Sequence, residues 1–95
     1  MKYELYKGDC LVEMDKINDK SVDLILADLP FGTTKAPWDN IIPFDLLWKQ
    51  YNRVIKPNGC IALFAQTPFD KLLGCSNIKN LKYEWIWQKH NQQVI

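Results

Sequence analysis

The stretch Val22-Asp-Leu-Ile-Leu-Ala-Asp28, followed at once by Leu29-Pro30-Phe31-Gly32, decides the fold. Its nearly unbroken apolar run is typical of a strand that is buried on both faces of a parallel sheet. Sheets of this kind bind their ligands at the carboxyl ends of their strands. A carboxylate, a proline and an aromatic ring in that place therefore indicate a functional site. The structural alternative is a strand that runs into a proline turn, with Asp28 as a turn or cap residue.

The composition is that of one small globular domain, with 95 residues and a formal net charge of +1. No apolar run reaches the roughly 18 residues of a membrane span, and the first residues lack the hydrophobic stretch of a signal peptide. We therefore expect a soluble, cytoplasmic protein without a membrane partner. A duplex-binding domain usually has a basic surplus, so charge does not indicate nucleic-acid binding here. If DNA is the partner, most phosphate contacts must come from elsewhere.

The three cysteines, Cys10, Cys60 and Cys75, show no paired spacing typical of a metal site or a disulfide framework. We expect them to be small thiols of the core, and we predict no metal.

Around the central strand the sequence predicts three further strands and three helices, in the order of a doubly wound α/β layer. The alternation at Tyr83–Gln88 places Trp85 and Trp87 on a sheet face, where aromatic side chains usually pack in the core. His90 receives no role. In chain order the predicted elements are a strand at Tyr3–Lys7, a helix after the N-cap Asp9, the strand at Val22–Asp28, a loop at residues 32–40, a helix from Pro43 to Ile55 ended by Lys56-Pro57-Asn58-Gly59, a strand at Cys60–Ala65, a helix from Thr67-Pro68 to about Cys75, and a strand at Tyr83–Gln88.

The tetrapeptide Asp28-Leu-Pro-Phe31 resembles the catalytic motif of the amino-group DNA methyltransferases, whose pattern is Asp/Asn/Ser-Pro-Pro-Tyr/Phe. Several neighbouring segments agree with that family in order, so that the resemblance covers nearly the whole chain. It is greatest to the adenine-N6 branch of the permuted (beta) group, which includes phage and restriction–modification enzymes. The agreeing segments are Gly8-Asp9, Thr33-Thr34, Trp38-Asp39, Lys56–Gly59 and Tyr83–Lys89.

The resemblance implies an α/β fold, as part of a Rossmann-like S-adenosylmethionine-dependent methyltransferase sheet with flanking helices. It implies site-specific methylation of the N6 amino group of adenine in double-stranded DNA, with the base swung out of the duplex. Asp28 would accept one hydrogen of the amine through its carboxylate, and the main-chain carbonyl of Leu29 would accept the other. Pro30 favours an extended conformation at Leu29. Phe31 would stack on the extruded base.

Further site residues follow from the same resemblance. Asp9, with Cys10 beside it, and Asp28 would contact S-adenosylmethionine, although a plain helix N-cap explains Asp9 equally well. The pocket for the base would include Phe31, Trp38 and Asp39. For Trp38 and Asp39, an ordinary exposed loop is the alternative.

Two features of the family are missing from the chain. No Gly-x-Gly is present for a cofactor loop, and the chain ends shortly after the aromatic segment, where a target-recognition region normally follows. The sequence therefore predicts that residues 1–95 are a single truncated methyltransferase domain, the catalytic-motif half, inactive without the missing C-terminal half or a partner chain. Without the strands of that half, we expect residues 1–20 to be loosely held.

Three alternatives stay open. The chain is a non-catalytic truncated remnant, or it methylates the N4 amino group of cytosine, although that branch usually has serine at position 28. The third is an unrelated nucleotide-binding module with Asp28 as a metal ligand, which lacks the usual glycine-rich phosphate loop.

Overall fold

The computed structural model describes residues 2–88, and among these it contains two parallel strands and three α-helices. The predictions for Lys89 and His90 lie outside the described residues. Short 3₁₀ turns at Met14–Lys16 and Ile78–Asn80 extend the first and last helices. The elements are α1 (Cys10–Glu13), β1 (Val22–Asp28), α2 (Phe44–Val54), β2 (Ile55–Phe64) and α3 (Phe69–Ser76).

The strands β1 and β2 pair in parallel, so their carboxyl ends lie at the same edge of the sheet. Asp28 at the end of β1 is opposite Phe64 at the end of β2. The prediction for β1 is confirmed, whereas β2 begins five residues earlier than the sequence indicated. The segment at residues 56–59, predicted to follow the helix as a turn, is extended and forms an irregularity in the ladder between Val22 and Leu24.

The core lies between α2, α3 and one face of the sheet. The helix α2 repeats its apolar residues at helical spacing, as predicted, and buries Leu47, Tyr51 and Val54. Phe69 of α3 is 1% exposed and belongs to the same core cluster as Leu47 and Tyr51. We call the sheet face beneath these helices the inner face; it consists of Ile25, Ala27, Ile61 and Leu63.

The opposite side of the sheet, which we call the outer face, is not covered by any element of residues 2–88. Leu24 is 55% exposed, Leu26 64% and Phe64 42%. The prediction that β1 is buried on both faces is therefore wrong for the described part of the chain. A continuous apolar run normally means two covered faces, and here helices cover only one of them.

The first twenty residues divide into two parts. Tyr3–Lys7 has no regular structure and is exposed, so the predicted strand is absent there. From α1 onward the chain is anchored, because the Arg53 guanidinium donates hydrogen bonds to the carbonyls of Met14 and Ile17, each at 2.8 Å. The loose attachment predicted for residues 1–20 stays a prediction for Tyr3–Lys7, whereas the hydrogen bonds from Arg53 hold the segment at Met14–Ile17.

The predicted strand at residues 83–88 is also absent, since residues 81–88 have no regular structure. Trp85 and Trp87 are 84% and 75% exposed, so the prediction that they pack in the core is wrong. The cysteines are all free and exposed rather than buried. Within residues 2–88 no helix is long and apolar enough to cross a membrane, and no cluster of metal-ligating side chains occurs.

Candidate active site

An open cleft of about 510 Å³ lies at the sheet edge where β1 and β2 end. It brings together six of the site residues that the sequence predicted, from the tetrapeptide that begins at the last residue of β1 and from the loop that follows it. It also includes three residues that were not proposed as site residues: Thr33, Thr34 and Gln66. The full lining is Asp28, Leu29, Pro30, Phe31, Thr33, Thr34, Trp38, Asp39 and Gln66.

Asp28 and Leu29 point in opposite directions, as successive residues of an extended chain do. The carboxylate of Asp28 is exposed and shares the outer face of the sheet with Leu24 and Leu26. The Leu29 side chain is only 7% exposed and belongs to the core cluster, while the residue also borders the cleft. Burial of this side chain gives a physical reason for a leucine here: it anchors the tetrapeptide to the core.

The Phe31 ring is held from one side by the core. It stacks on Phe69, with ring centroids 5.1 Å apart and an angle of 23° between the planes. Phe69 in turn contacts Phe44 of α2, with centroids 6.1 Å apart. Phe31 also lines the cleft, so a rigid aromatic surface borders the space beside Asp28.

Asp39 organises the loop that forms the far wall of the cleft. Its Oδ1 accepts a hydrogen bond from the Gly32 amide at 2.9 Å, and its Oδ2 accepts from the Thr34 amide at 2.8 Å and the Thr34 hydroxyl at 2.7 Å. The Thr34 hydroxyl first, and then the two amides, lower the pKa of Asp39 to about 2. Both carboxylate oxygens are therefore engaged within the loop, and Asp39 shapes the wall of the cleft.

Gly32 is the point where the chain turns from the tetrapeptide into this loop. Its φ of +71° is unfavourable for residues with a side chain, and an added Cβ would lie 2.8 Å from the Ile41 side chain. The turn brings Asp39 back toward the end of β1. It leaves Trp38 at the cleft with 81% of its surface exposed.

Gln66 was missed by the sequence reasoning, although a signal for it exists. It lies two residues beyond the end of β2, and parallel strands present such residues at one edge. Its side chain offers both a hydrogen-bond donor and an acceptor to the cleft.

Comparison with known proteins adds one finding to this geometry. Over 100 residues the chain is 28% identical to the Type II methyltransferase M1.MboII of Moraxella bovis. The chain is similar to a Type II methyltransferase. The match includes 93% of this chain but only 38% of that methyltransferase. No protein-family model and no solved structure matches the chain.

Asp9 and Cys10, the other residues assigned to a methyltransferase cofactor, do not line the cleft. Asp9 is the N-cap of α1, and its Oδ1 accepts a hydrogen bond from the Leu11 amide at 2.9 Å. The structural role of Asp9 is therefore present in the fold. Cys10 is an exposed residue, but desolvation of its thiol raises the pKa of Cys10. The neighbouring Asp9 carboxylate raises this pKa further.

The residues assigned to S-adenosylmethionine do not fit that cofactor as a complete site within residues 2–88. Asp9 and Cys10 are both exposed at the end of a four-residue helix, and Asp28 lines a cleft to which neither contributes. What the described chain does form is a cleft with an exposed acid, a fixed aromatic ring and an ordered loop.

Proposed function

We propose that the chain is the catalytic-motif part of a DNA methyltransferase that transfers a methyl group to the N6 amino group of adenine. One observation carries the proposal: Asp28, Leu29, Pro30 and Phe31 stand together at an open cleft at the carboxyl end of β1. The similarity to a Type II methyltransferase supports the reaction class. Double-stranded DNA is the substrate that the resemblance to the amino-group DNA methyltransferases implies.

In the proposed site, the Asp28 carboxylate and the main-chain carbonyl of Leu29 accept hydrogen bonds from the amino group of adenine. An exocyclic amine is a poor nucleophile because its lone pair is delocalised into the ring of the base. Two acceptors that bind its hydrogens favour a tetrahedral nitrogen, whose lone pair is then free to attack. In this proposal, the exposed carboxylate of Asp28 supplies one acceptor and the main-chain carbonyl of Leu29 supplies the other.

The cleft is also suited to a base that has left the duplex. Stacking of a base on an aromatic ring contributes about 1–3 kcal/mol, which offsets part of the unstacking energy. Phe31 offers a ring that Phe69 already holds in place, so little freedom is lost when a base binds. Trp38 offers a second aromatic surface, and Gln66 can bind the polar edge of the base.

The methyl donor that goes with this chemistry is S-adenosylmethionine. Because residues 2–88 do not form its site alone, we assign most of its binding to polypeptide outside them. The chain spans 38% of the length of its Moraxella bovis relative, which is consistent with that division. A restriction–modification or phage enzyme is the proposed setting. A second candidate is a non-catalytic remnant, and the observation that favours it is that Asp9 and Cys10 do not join Asp28 in the cleft.

The test uses what we call the complemented chain, in which this chain is fused to the part of M1.MboII that it does not match. The assay measures transfer of a labelled methyl group to adenine-containing duplex DNA. Asp28→Ala should lower the transfer rate by about a hundredfold or more while cofactor binding changes little. Asp23→Ala is the matched control, since Asp23 is an 82% exposed acid on the same strand, distant from the cleft.

Full activity of the Asp28→Ala variant would remove Asp28 from the role proposed for it. A complemented chain that binds cofactor and DNA but transfers no methyl group, even without substitutions, would favour the remnant.

A further inference from the structure

Gln66 is the residue that the side of β2 contributes to the cleft. The other eight residues of the lining belong to the end of β1 or to the segment that follows it. Gln66 lies two residues beyond Phe64, the last residue of β2, and Phe64 is paired with Asp28 at the end of β1. A group that binds in the cleft is therefore bordered by Asp28 from one strand and by Gln66 from the other.

The backbone of Gln66 is held at the start of α3. Its carbonyl accepts a hydrogen bond from the Asp70 amide at 3.0 Å. Phe69, the first residue of α3, is buried in the core and stacks on the ring of Phe31. The same turn of chain thus anchors Gln66 and supports the aromatic ring of the cleft.

The side chain of Gln66 is exposed, and no hydrogen bond within residues 2–88 uses its amide. In this it differs from the polar groups on the loop side of the cleft. There the Thr34 hydroxyl donates to the Asp39 Oδ2 at 2.7 Å, so these two groups are engaged with each other. The Gln66 amide is an uncharged donor that remains available to a ligand.

The base that the proposed site takes needs such a donor. In adenine the amino group stands between two ring nitrogens, N1 and N7, and both are hydrogen-bond acceptors. An ionised carboxylate and a main-chain carbonyl can only accept hydrogen bonds, so Asp28 and the carbonyl of Leu29 bind the amine but neither ring nitrogen. A ring nitrogen that leaves water without finding a donor weakens binding of the base.

We propose that the side-chain NH2 of Gln66 donates a hydrogen bond to a ring nitrogen beside the amino group, while Asp28 and Leu29 bind the amine itself. The inference rests on the proposed function and names the residue by which that site recognises its base. Glutamine pairs well with adenine in DNA recognition, because its donor matches N7 and its acceptor matches the amino group. Cytosine has one ring nitrogen next to its amino group and a carbon on the other side, so a contact with N7 distinguishes the two bases.

Two analogues of adenine separate the ring nitrogens. Both 7-deazaadenine and 1-deazaadenine keep the amino group, but a CH group replaces N7 in the first and N1 in the second. The experiment compares kcat/KM for methyl transfer by the complemented chain on duplexes that contain adenine, 7-deazaadenine or 1-deazaadenine at every adenine position. Gln66→Met keeps the length of the side chain and removes the donor, and circular dichroism checks that the variant is folded.

We expect Gln66→Met to lower kcat/KM on adenine DNA by about tenfold or more. One analogue should lower it by a similar factor in the unsubstituted complemented chain. On that analogue Gln66→Met should cost less than about twofold more, because the contact is already absent. A coupling with 7-deazaadenine assigns the contact to N7, and a coupling with 1-deazaadenine assigns it to N1.

Thr33→Val is the matched control, because Thr33 also lines the cleft and carries a hydroxyl donor. This variant should keep the full penalty of the analogue. If the penalty disappears in Thr33→Val instead, Thr33 is the donor and the proposal for Gln66 is overturned. A full penalty in Gln66→Met, or no penalty with either analogue in the unsubstituted protein, would overturn it as well.

Fluorescence anisotropy with the same duplexes and variants measures binding without the chemical step. Coupling between Gln66 and an analogue in binding, with no methyl transfer, would support the contact and contradict the proposed function. Methyl transfer to adenine with no coupling in either measurement would overturn the contact and leave the proposed function in place. Neither coupling nor transfer would contradict both.

Discussion

Arg53 on α2 is the residue on which attachment of the N-terminal segment depends most. Its guanidinium donates to the carbonyls of Met14 and Ile17 and pairs with the Asp19 carboxylate at 2.6 Å. The Arg53 side chain is 29% exposed, whereas Asp19 is 74% exposed. Arg53→Ala therefore removes two charge-assisted hydrogen bonds to these carbonyls, a third from Nε to the Gln50 Oε1 at 2.9 Å, and one surface ion pair.

The magnitude follows from these environments. A hydrogen bond from a charged donor contributes about 1.5–3 kcal/mol, and an exposed ion pair contributes about 0–1 kcal/mol. Because water can reach the acceptors that Arg53 leaves, we expect the free energy of unfolding to fall by about 2–4 kcal/mol, which is below the full sum of these contributions. Asp19→Asn removes only the ion pair and should lower it by no more than about 1 kcal/mol.

Urea unfolding followed by circular dichroism measures both variants. Hydrogen exchange then locates the effect: amides of residues 10–17 should lose protection in Arg53→Ala, while those of Tyr3–Lys7 should exchange fast already in the wild type. Equal destabilisation by Arg53→Ala and Asp19→Asn would refute the assignment of the energy to the two carbonyls. Protection of Tyr3–Lys7 equal to that of β1 would contradict the exposed conformation before α1.

Two further predictions concern the loop and the core. Because the folded pKa of Asp39 is lowered to about 2 from an ordinary 3.8, the Asp39 contacts should stabilise the loop above about pH 4 and be lost as the pH falls through 2. The Gly32 amide resonance should follow this titration in NMR, and Thr34→Val should raise its midpoint; an unchanged midpoint would show that the Thr34 hydroxyl is not the main cause. Leu47 is fully buried, so Leu47→Ala leaves a cavity and should lower the free energy of unfolding in urea by about 2–5 kcal/mol. Its neighbour Leu46 is 46% exposed, and Leu46→Ala should lower that free energy by less than about 1 kcal/mol. Similar losses at the two positions would show that the core does not lie at Leu47.

The sequence could predict the elements whose signals are local. The apolar run of β1 and the helical spacing in α2 each lie within one segment, and both elements are found. The helix α3 follows its Thr67-Pro68 start with a shift of one residue. Asp9 caps α1 as its residue type indicated.

The sequence could not predict whether an alternating segment finds a partner. A strand requires hydrogen bonds to a neighbour that is distant in the chain. Tyr3–Lys7 and Tyr83–Gln88 both alternate, yet neither pairs within residues 2–88. Burial of Trp85 and Trp87 failed for the same reason, because a sheet face that would pack them is not formed there.

For the candidate site, the strand end was predictable and the loop geometry was not. Asp28 ends the apolar strand β1 and Phe31 follows three residues later, which indicates their position. Asp39 binds the amides of Gly32 and Thr34 through its two carboxylate oxygens. These contacts depend on how the loop turns, which its sequence does not show. Gln66 reaches the cleft only because β1 and β2 are neighbours in parallel.

The central claim is that the cleft beside Asp28 holds the amine of an adenine while it is methylated. Mass spectrometry of nucleosides, from DNA treated with the complemented chain and S-adenosylmethionine, tests it most directly. The account predicts N6-methyladenine with the wild-type cleft and none with Asp28→Ala. N4-methylcytosine as the product, or N6-methyladenine in equal amount from the Asp28→Ala variant, would contradict it.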